Sequence, residues 1–303
     1  MPGAGGRIAP VKDPASVRKA VIPAGGLGTR FLPASKVVPK ELLPILDKPM
    51  IQYQVEEAAA AGIEDVIVVT SEGKEALERY FARDPALESH LSRSGAAGLL
   101  DQVRRTWSTA RVSFVRQERP LGLGHAVLTA RDAVGDEPFV VMLPDDVIWH
   151  SESVTRQMLG VFREYGGSVV AVEEVPTEAV SAYGVVDSVP VAEQVYRVRG
   201  LVEKPAPQEA PSNLAVVGRY VFTPDIFDCL ERTPPGAKGE VQLTDGMALQ
   251  LENGPMFAYR FHGARYDGGT PMGLLRAALE IGLKRGDTRD GVRQALRDLP
   301  SSP

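Results

Sequence analysis

The chain has 303 residues, enough for one large α/β domain or two small ones, and its 44% hydrophobic and 24% charged content is that of a soluble globular protein. A formal net charge of −5 with no basic run argues against nucleic acid as the main partner, and no apolar run nears the ~18 residues of a membrane span. The single cysteine, Cys229, rules out an internal disulfide, and no Cys/His spacing suits zinc, so a buried structural thiol is expected.

Taken in chain order, residues 1–17 read as a flexible N-terminus. The first twenty residues lack the apolar core of a secretory signal, so a cytoplasmic, reducing location is expected. Residues 19–23 form an apolar strand that runs into a glycine loop. Residues 50–61 have helical spacing, with Ile51, Val55 and Ala58 on one face. The run DVIVVT at 65–70 is a buried strand, 74–81 a helix, 111–116 a strand and 125–134 a helix. FVVML at 139–143 is another buried strand, followed at once by Pro144-Asp145-Asp146. Alternation of helices with continuously apolar strands predicts a mostly parallel sheet covered on both faces.

Beyond about residue 180 the pattern changes. Strands are predicted near 184–189, 194–202, 214–222 and 256–261, with helices at 245–251 and 274–284. These read as a mixed or antiparallel extension that closes over the first half. The expected organisation is one domain, 18–285, with lobes at about 18–180 and 181–285. A polar C-terminal tail, 286–303, is expected to fray at its end.

The sequence VIPAGGLGTR at 21–30 runs from a strand into Gly25, Gly26 and Gly28. Glycines let the backbone approach a ligand closely, and consecutive N–H groups can form an anion-binding hollow. Arg30 follows and suits a phosphate through its planar fork. A plain glycine-rich turn is the alternative. The loop matches neither the Walker A pattern nor G-x-G-x-x-G, which disfavours a P-loop NTPase and a dinucleotide oxidoreductase. Asp145, just past a buried strand, stands where open α/β sheets bind ligands, unless it only caps a turn.

Together, GGLGTRFLP, PKELLPI and DKPMIQY between residues 25 and 53 resemble the N-terminal signature of the sugar-nucleotide pyrophosphorylases. The Val-Pro-Lys-Glu wording around Lys40 is most similar to the bacterial UTP–glucose-1-phosphate uridylyltransferases. The resemblance continues in the family's order over about 18–285. It implies a Rossmann-like, mostly parallel mixed sheet flanked by helices, with a smaller β-rich sugar-binding extension, as in nucleotide-diphospho-sugar transferases. It also implies that UTP and glucose 1-phosphate react to UDP-glucose and pyrophosphate with Mg²⁺, in a homodimer or homotetramer.

Residue by residue, the resemblance gives Arg30, Lys40 and Lys204 the catalytic roles. Ala24, Gly25, Gly26, Gly28, Thr29, Gln117 and Gly122 would bind the nucleotide. Gln117, in VRQERPLGLGHAVL, would read the base, since its amide offers both a donor and an acceptor. Gly184, Glu203, Asn213 and Gly218 would bind the sugar, with Glu240 and Thr244 bordering the site. Asp145 and Asp267 would hold Mg²⁺, which favours one or two carboxylates plus phosphate and water. His125 is expected to be a structural residue at a helix start. One departure stands out: Pro271 occupies the place of the family's usual lysine. Thymidylyl transfer from dTTP is the nearest alternative, and a sugar-nucleotide-binding paralogue of low activity is another. The 83–110 segment favours the uridylyl reading.

Overall fold

Ala20, Val21 and Ile22 have no exposed surface, as a strand covered on both faces requires. They form β1 (Lys19–Pro23), from which the sheet grows in both directions. The computed structural model describes residues 17–149, 151–236 and 239–299. The expected flexible N-terminus up to residue 16, and the last residues of the tail, lie outside them.

After β1 come 3-10 turns at Thr29–Phe31, Ala34–Lys36 and Lys40–Leu42. A small ribbon, β2 (Pro44–Ile45) and β3 (Lys48–Pro49), leads to α1 (Met50–Ala60) and β4 (Asp65–Thr70). Three helices follow, α2 (Glu75–Phe81), α3 (Pro85–Arg93) and α4 (Ala97–Ser108), then β5 (Arg111–Arg116). Next are α5 (Leu123–Thr129), α6 (Arg131–Val134), β6 (Phe139–Met142), β7 (Asp146–Trp149), α7 (Val154–Tyr165) and β8 (Ser168–Glu174). The second half holds β9 (Gly184–Ala192), β10 (Val195–Glu203), β11 (Leu214–Phe222), α8 (Ile226–Arg232) and α9 (Leu243–Asn253). It ends with β12 (Met256–Arg260), β13 (Ala264–Asp267), α10 (Pro271–Lys284) and α11 (Arg289–Asp298).

The main sheet has nine strands in the order β5-β4-β1-β6-β11-β8-β12-β10-β9. β1 pairs in parallel with both β4 and β6, and β4 with β5. The chain therefore moves outward from β1 to β5 and then returns to place β6 on the other side. Ligands in open α/β sheets sit at such a switch point, beyond the carboxyl ends of the strands. Side chains alternate between two cores. Ala20 and Ile22 face one packed by Ile51, Val55, Met158 and Phe162, whereas Val21 faces one packed by Val127, Phe139, Phe227 and Leu243. Each fully buried aliphatic or aromatic side chain contributes about 1.5–3 kcal/mol relative to exposure.

Three features differ from the sequence reading. The strands after residue 180 do not form a layer over the first half. β9 to β12 continue the same sheet, with β11 buried along its whole length and inserted between β6 and β8, antiparallel to both. Residues 125–134 are not one helix: the chain re-caps at Ala130, which ends α5 and starts α6. Within the tail, residues 289–298 form α11, whose Val292 packs beside Gly282 of α10. The helices of the 83–110 segment, and α7, β8 and α8, carried no predicted element. Cys229 is buried, and burial pushes its thiol pKa up.

One residue of β11 is a fully buried cation. Arg219 donates to the Glu57 carboxylate at 2.9 Å and to Gln54 Oε1, both on α1. It also donates to the main-chain carbonyls of Gly218 at 2.9 Å, Asp146 at 2.8 Å and Leu143 at 3.4 Å. Removing a buried charge's partner typically costs ~3–5 kcal/mol, because the remaining ion stays desolvated. Arg219→Met, which strands Glu57, is expected to lower unfolding stability by that amount in a urea titration.

Candidate active site

The carboxyl ends of β1, β4, β5 and β6 open onto a cleft of about 490 Å³ lined by Gly25, Gly26, Gly28, Thr29, Lys40, Gln117, Gly122 and Asp145. Ala24, fully buried behind the loop, donates its N–H to Val69 O at 2.7 Å and so continues the β1–β4 pairing by one residue. Gly28 sits at φ 64, a left-handed conformation that lets the loop turn into the Thr29–Phe31 segment. A Cβ there would lie 3.1 Å from Lys40 Cβ, so the glycine also lets the lysine-bearing turn come close.

Lys40 is placed from beneath. The next residue, Glu41, is buried and pairs with Lys74 Nζ at 2.9 Å. Lys74 also donates to Ala24 O at 2.5 Å, which ties this turn to the end of β1. Burial pushes Glu41 up and Lys74 down from their ordinary pKa values, each against the pull of its partner. Above this pair, Lys40 Nζ lies 2.6 Å from Asp145 Oδ2. Burial works against the Lys40 ammonium, but Asp145 outweighs it and holds the pKa above the ordinary lysine value. Burial likewise opposes the Asp145 carboxylate, and Lys40 more than offsets it.

Asp145 and Asp267 converge through the short ribbon β7–β13, whose register sets Asp267 opposite Asp146. Gly268 N donates to Asp145 O at 2.7 Å, and Gly269 N to Asp267 Oδ1 at 2.8 Å. A Cβ on Gly269 would lie 2.9 Å from an oxygen of each carboxylate, so the two face one gap that only glycine leaves open. Two hard oxygen donors facing one gap fit a divalent cation that takes its other ligands from phosphate and water. Among the described residues no group of three or more His, Cys, Asp or Glu could hold a metal without such help. The adjacent Asp146 has another task. It is buried, accepts from Gly218 N at 2.7 Å and pairs with Arg265 at 2.6 Å.

A second cavity, of about 330 Å³, shares Asp145 with the first and is lined by Arg30, Gly184, Glu203, Lys204, Gly218, Thr244 and Asp267. Glu203 Oε2 accepts from Thr244 Oγ1 at 2.7 Å, and its Oε1 lies 2.8 Å from Lys204 Nζ. A Cβ on Gly184 would come within 3.3 Å of both Glu203 Oε2 and Thr244 Oγ1, so glycine keeps these polar atoms open to the cavity. Lys204 has φ 48, rare for a side-chain-bearing residue, and its N–H donates to Tyr183 O at 3.0 Å. Its side chain is largely exposed, as is Arg30, whose guanidinium pairs with no described residue.

Gly218 has no room for a Cβ, which would lie 2.5 Å from Asp146 Oδ2. Asn213 stands apart from the other expected sugar residues. It is exposed at the start of β11, its backbone carbonyl accepts from Val175 N at 3.0 Å, and it lines neither cavity. Pro271 begins α10 beneath the Thr270 cap, whose Oγ1 accepts from Gly273 N at 3.0 Å; a first helical position suits proline. The supporting residues Glu41, Lys74, Arg219 and Arg265 were absent from the sequence reading. A charge inside a strand was the signal for Arg219 and Arg265, whereas Glu41 in its 3-10 turn and Lys74 at the head of α2 carried none.

The family described as Nucleotidyl transferase matches residues 19–282. A Bacillus subtilis (strain 168) protein named UTP–glucose-1-phosphate uridylyltransferase is 47% identical over 283 residues, covering 93% of this chain and 97% of its own. A crystal structure of UDP-glucose pyrophosphorylase complexed with UDP-glucose superimposes with a TM-score of 0.83 at 44% identity, covering 89% of this chain and 100% of that one. A UTP-bound UGPase from Acinetobacter baumannii does so with a TM-score of 0.88 at 40% identity, covering 94% and 100%.

The buried Glu41–Lys74 pair can be tested by two substitutions. Lys74→Met leaves a carboxylate buried alone and is expected to cost ~3–5 kcal/mol in chemical denaturation. Adding Glu41→Leu removes that charge and is expected to restore most of the loss.

Proposed function

The chain belongs to the nucleotidyl transferase family, and we propose that it transfers the uridylyl group of UTP to glucose 1-phosphate, releasing pyrophosphate and forming UDP-glucose. The observation that carries this reading is the pair of adjoining cavities that meet at Asp145. One is walled by backbone glycines and an amide, the other by a carboxylate, a hydroxyl and a lysine. That is the layout for a nucleoside triphosphate and a sugar phosphate whose phosphates must touch.

In this reading Gly25, Gly26, Gly28 and Thr29 cradle the nucleotide, Ala24 behind them anchors the loop to β4, and Gln117 and Gly122 meet the base. Glu203 and Gly184 contact sugar hydroxyls, with Gly218 at the cavity wall. Asn213 is left out because it lines neither cavity. Lys204 holds the sugar phosphate, and Lys40 and Arg30 stabilise the triphosphate and the departing pyrophosphate.

A phosphate oxygen of glucose 1-phosphate attacks the α-phosphorus of UTP as the bond to pyrophosphate breaks. The attacking phosphate is already ionised at neutral pH, so no general base and no covalent enzyme intermediate are needed; positioning and charge neutralisation suffice. Asp145 and Asp267 would hold the divalent ion, Mg²⁺ in our reading, which when bound offsets repulsion between the two phosphate groups.

Uridylyl transfer is favoured over thymidylyl transfer by the names of the relatives at 45–47% identity over 93% of the chain. A binding-only role is motivated by Pro271 alone, and Arg30, Lys40, Asp145, Lys204 and Asp267 all stand against it. One free cysteine suits a reducing cytoplasm, and we expect a homodimer or homotetramer.

Pyrophosphate release with glucose 1-phosphate and Mg²⁺ is expected to be strong with UTP and weak with dTTP, CTP and ATP. A preference for dTTP would move the chain to the neighbouring activity, and no release with any nucleotide would leave the binding-only reading. Lys204→Ala is expected to lower kcat/KM for glucose 1-phosphate by ~10²–10³, by analogy with a lost charge-stabilising donor. Near-normal turnover would remove Lys204 from its role.

A further inference from the structure

Gln117 closes β5 at the edge of the nucleotide cleft, and its amide does not turn freely. Its backbone N–H donates to Thr70 O at 2.8 Å, and its side chain is buried. Side-chain Nε2 lies 3.2 Å from Gly122 O and 2.9 Å from His125 Nδ1. A main-chain carbonyl can only accept, so the amide nitrogen must be the atom that faces Gly122. The second amide hydrogen then meets His125 Nδ1, which must accept it, and the ring proton belongs on Nε2. Burial, and then the nearby Arg119, lower the His125 pKa, which keeps the ring neutral and Nδ1 an acceptor at neutral pH.

With both amide hydrogens taken, Oε1 is the group left for a ligand. It lies 2.9 Å from where a Cβ on Gly25 would be, so it faces the space above the glycine loop. The backbone behind this arrangement is fixed. Gly122 stands at φ 97 with no room for a Cβ, which would lie 2.8 Å from Val241 O. Gly124 N donates to Val241 O at 2.9 Å, and Val241 N to Leu121 O at 2.7 Å. His125 follows in the first turn of α5.

We propose that His125 is a specificity-determining positioning residue: with the Gly122 carbonyl, it locks the Gln117 amide so that only an acceptor oxygen faces the base. The inference rests on the UTP reading above. Uracil presents N3–H at its pairing edge and satisfies that oxygen. Cytosine in the same pose presents an unprotonated N3, setting acceptor against acceptor. Thymine also carries N3–H, so this device separates uracil and thymine from cytosine and not from each other. Without His125, the amide keeps its bond to Gly122 O but its second hydrogen is released, and that N–H can swing toward a base that offers an acceptor.

The test uses the full chain with UTP and CTP, and reads KM and kcat from pyrophosphate release. His125→Leu removes the acceptor, whereas His125→Asn can return one at the δ position. For the Leu variant, KM for UTP is expected to rise about tenfold, the worth of one hydrogen bond near 1.4 kcal/mol, with kcat within about twofold. The preference for UTP over CTP in kcat/KM falls by a similar factor, and Asn restores both. An unchanged preference in the Leu variant, or an Asn variant no better than Leu, overturns the proposal. A parent enzyme that releases pyrophosphate with dTTP but not UTP, or with neither, fails earlier and takes the uridylyl reading down with it. If the Leu variant does not fold, the ¹⁵N shifts of His125 in the parent decide. A ring protonated on Nε2 with a bare Nδ1 supports the proposal, and a proton on Nδ1 overturns it.

Discussion

A buried guanidinium must have all of its partners, and the active site of this protein is built around one that does. Arg219 has no exposed surface and spends its donors on Glu57, Gln54 and three main-chain carbonyls, two of them in the segment that carries Asp145. Glu57 in turn accepts from Thr155 Oγ1 at 2.8 Å and Thr155 N at 3.1 Å, at the start of α7. One cation thereby fastens α1, α7, β11 and the turn after β6 to each other. An unpaired charge in that position is so unfavourable that the elements hold their relative places or the core does not form.

The carboxylates of the cleft inherit this order. Asp146 looks into the protein, held by Gly218 N and Arg265, and its neighbour Asp145 is therefore turned toward the cleft. The ribbon β7–β13 then brings Asp267 from the far end of the sequence to the same gap. On the opposite wall the buried Glu41–Lys74 pair does for Lys40 what Arg219 does for Asp145. In both cases a desolvated ion pair below the surface fixes a charged group at the surface, so little rearrangement is left for the moment when phosphates arrive.

Much of this was legible in the chain. Continuous apolar runs such as DVIVVT and FVVML marked the central strands, because a strand covered on both faces has no polar face to show. The glycine loop, Lys40, Gln117, Asp145, Glu203 and Lys204 stood out by motif, and they line the two cavities. Asn213 shows the limit of that reasoning, since matching a motif's order along the chain does not bring a residue into a cavity. Arg219 was hidden because an arginine within LAVVGRYVF looks like an outward-facing residue of a half-exposed strand, and only the sheet order shows that β11 has no outward face. The α11 helix was missed for the opposite reason. Its charged residues read as a tail, and its contact with α10 rests on few apolar side chains, Val292 among them.

The segment after β13 decides where this protein has freedom to drift. Added atoms at Gly268 would meet Met50 Sδ at 2.5 Å, at Gly269 both carboxylates at 2.9 Å, and at Gly273 Asp267 O at 1.8 Å. Between these fixed points, Pro271 and Met272 are exposed, Met272 to 72%. Nearly any coding change at the three glycines would be purged, and Thr270 is held by its capping bond, while Pro271 and Met272 can accumulate substitutions at little steric penalty. Pro271 falls inside that permissive window, so a side chain can be exchanged there without moving the backbone that aims the two carboxylates.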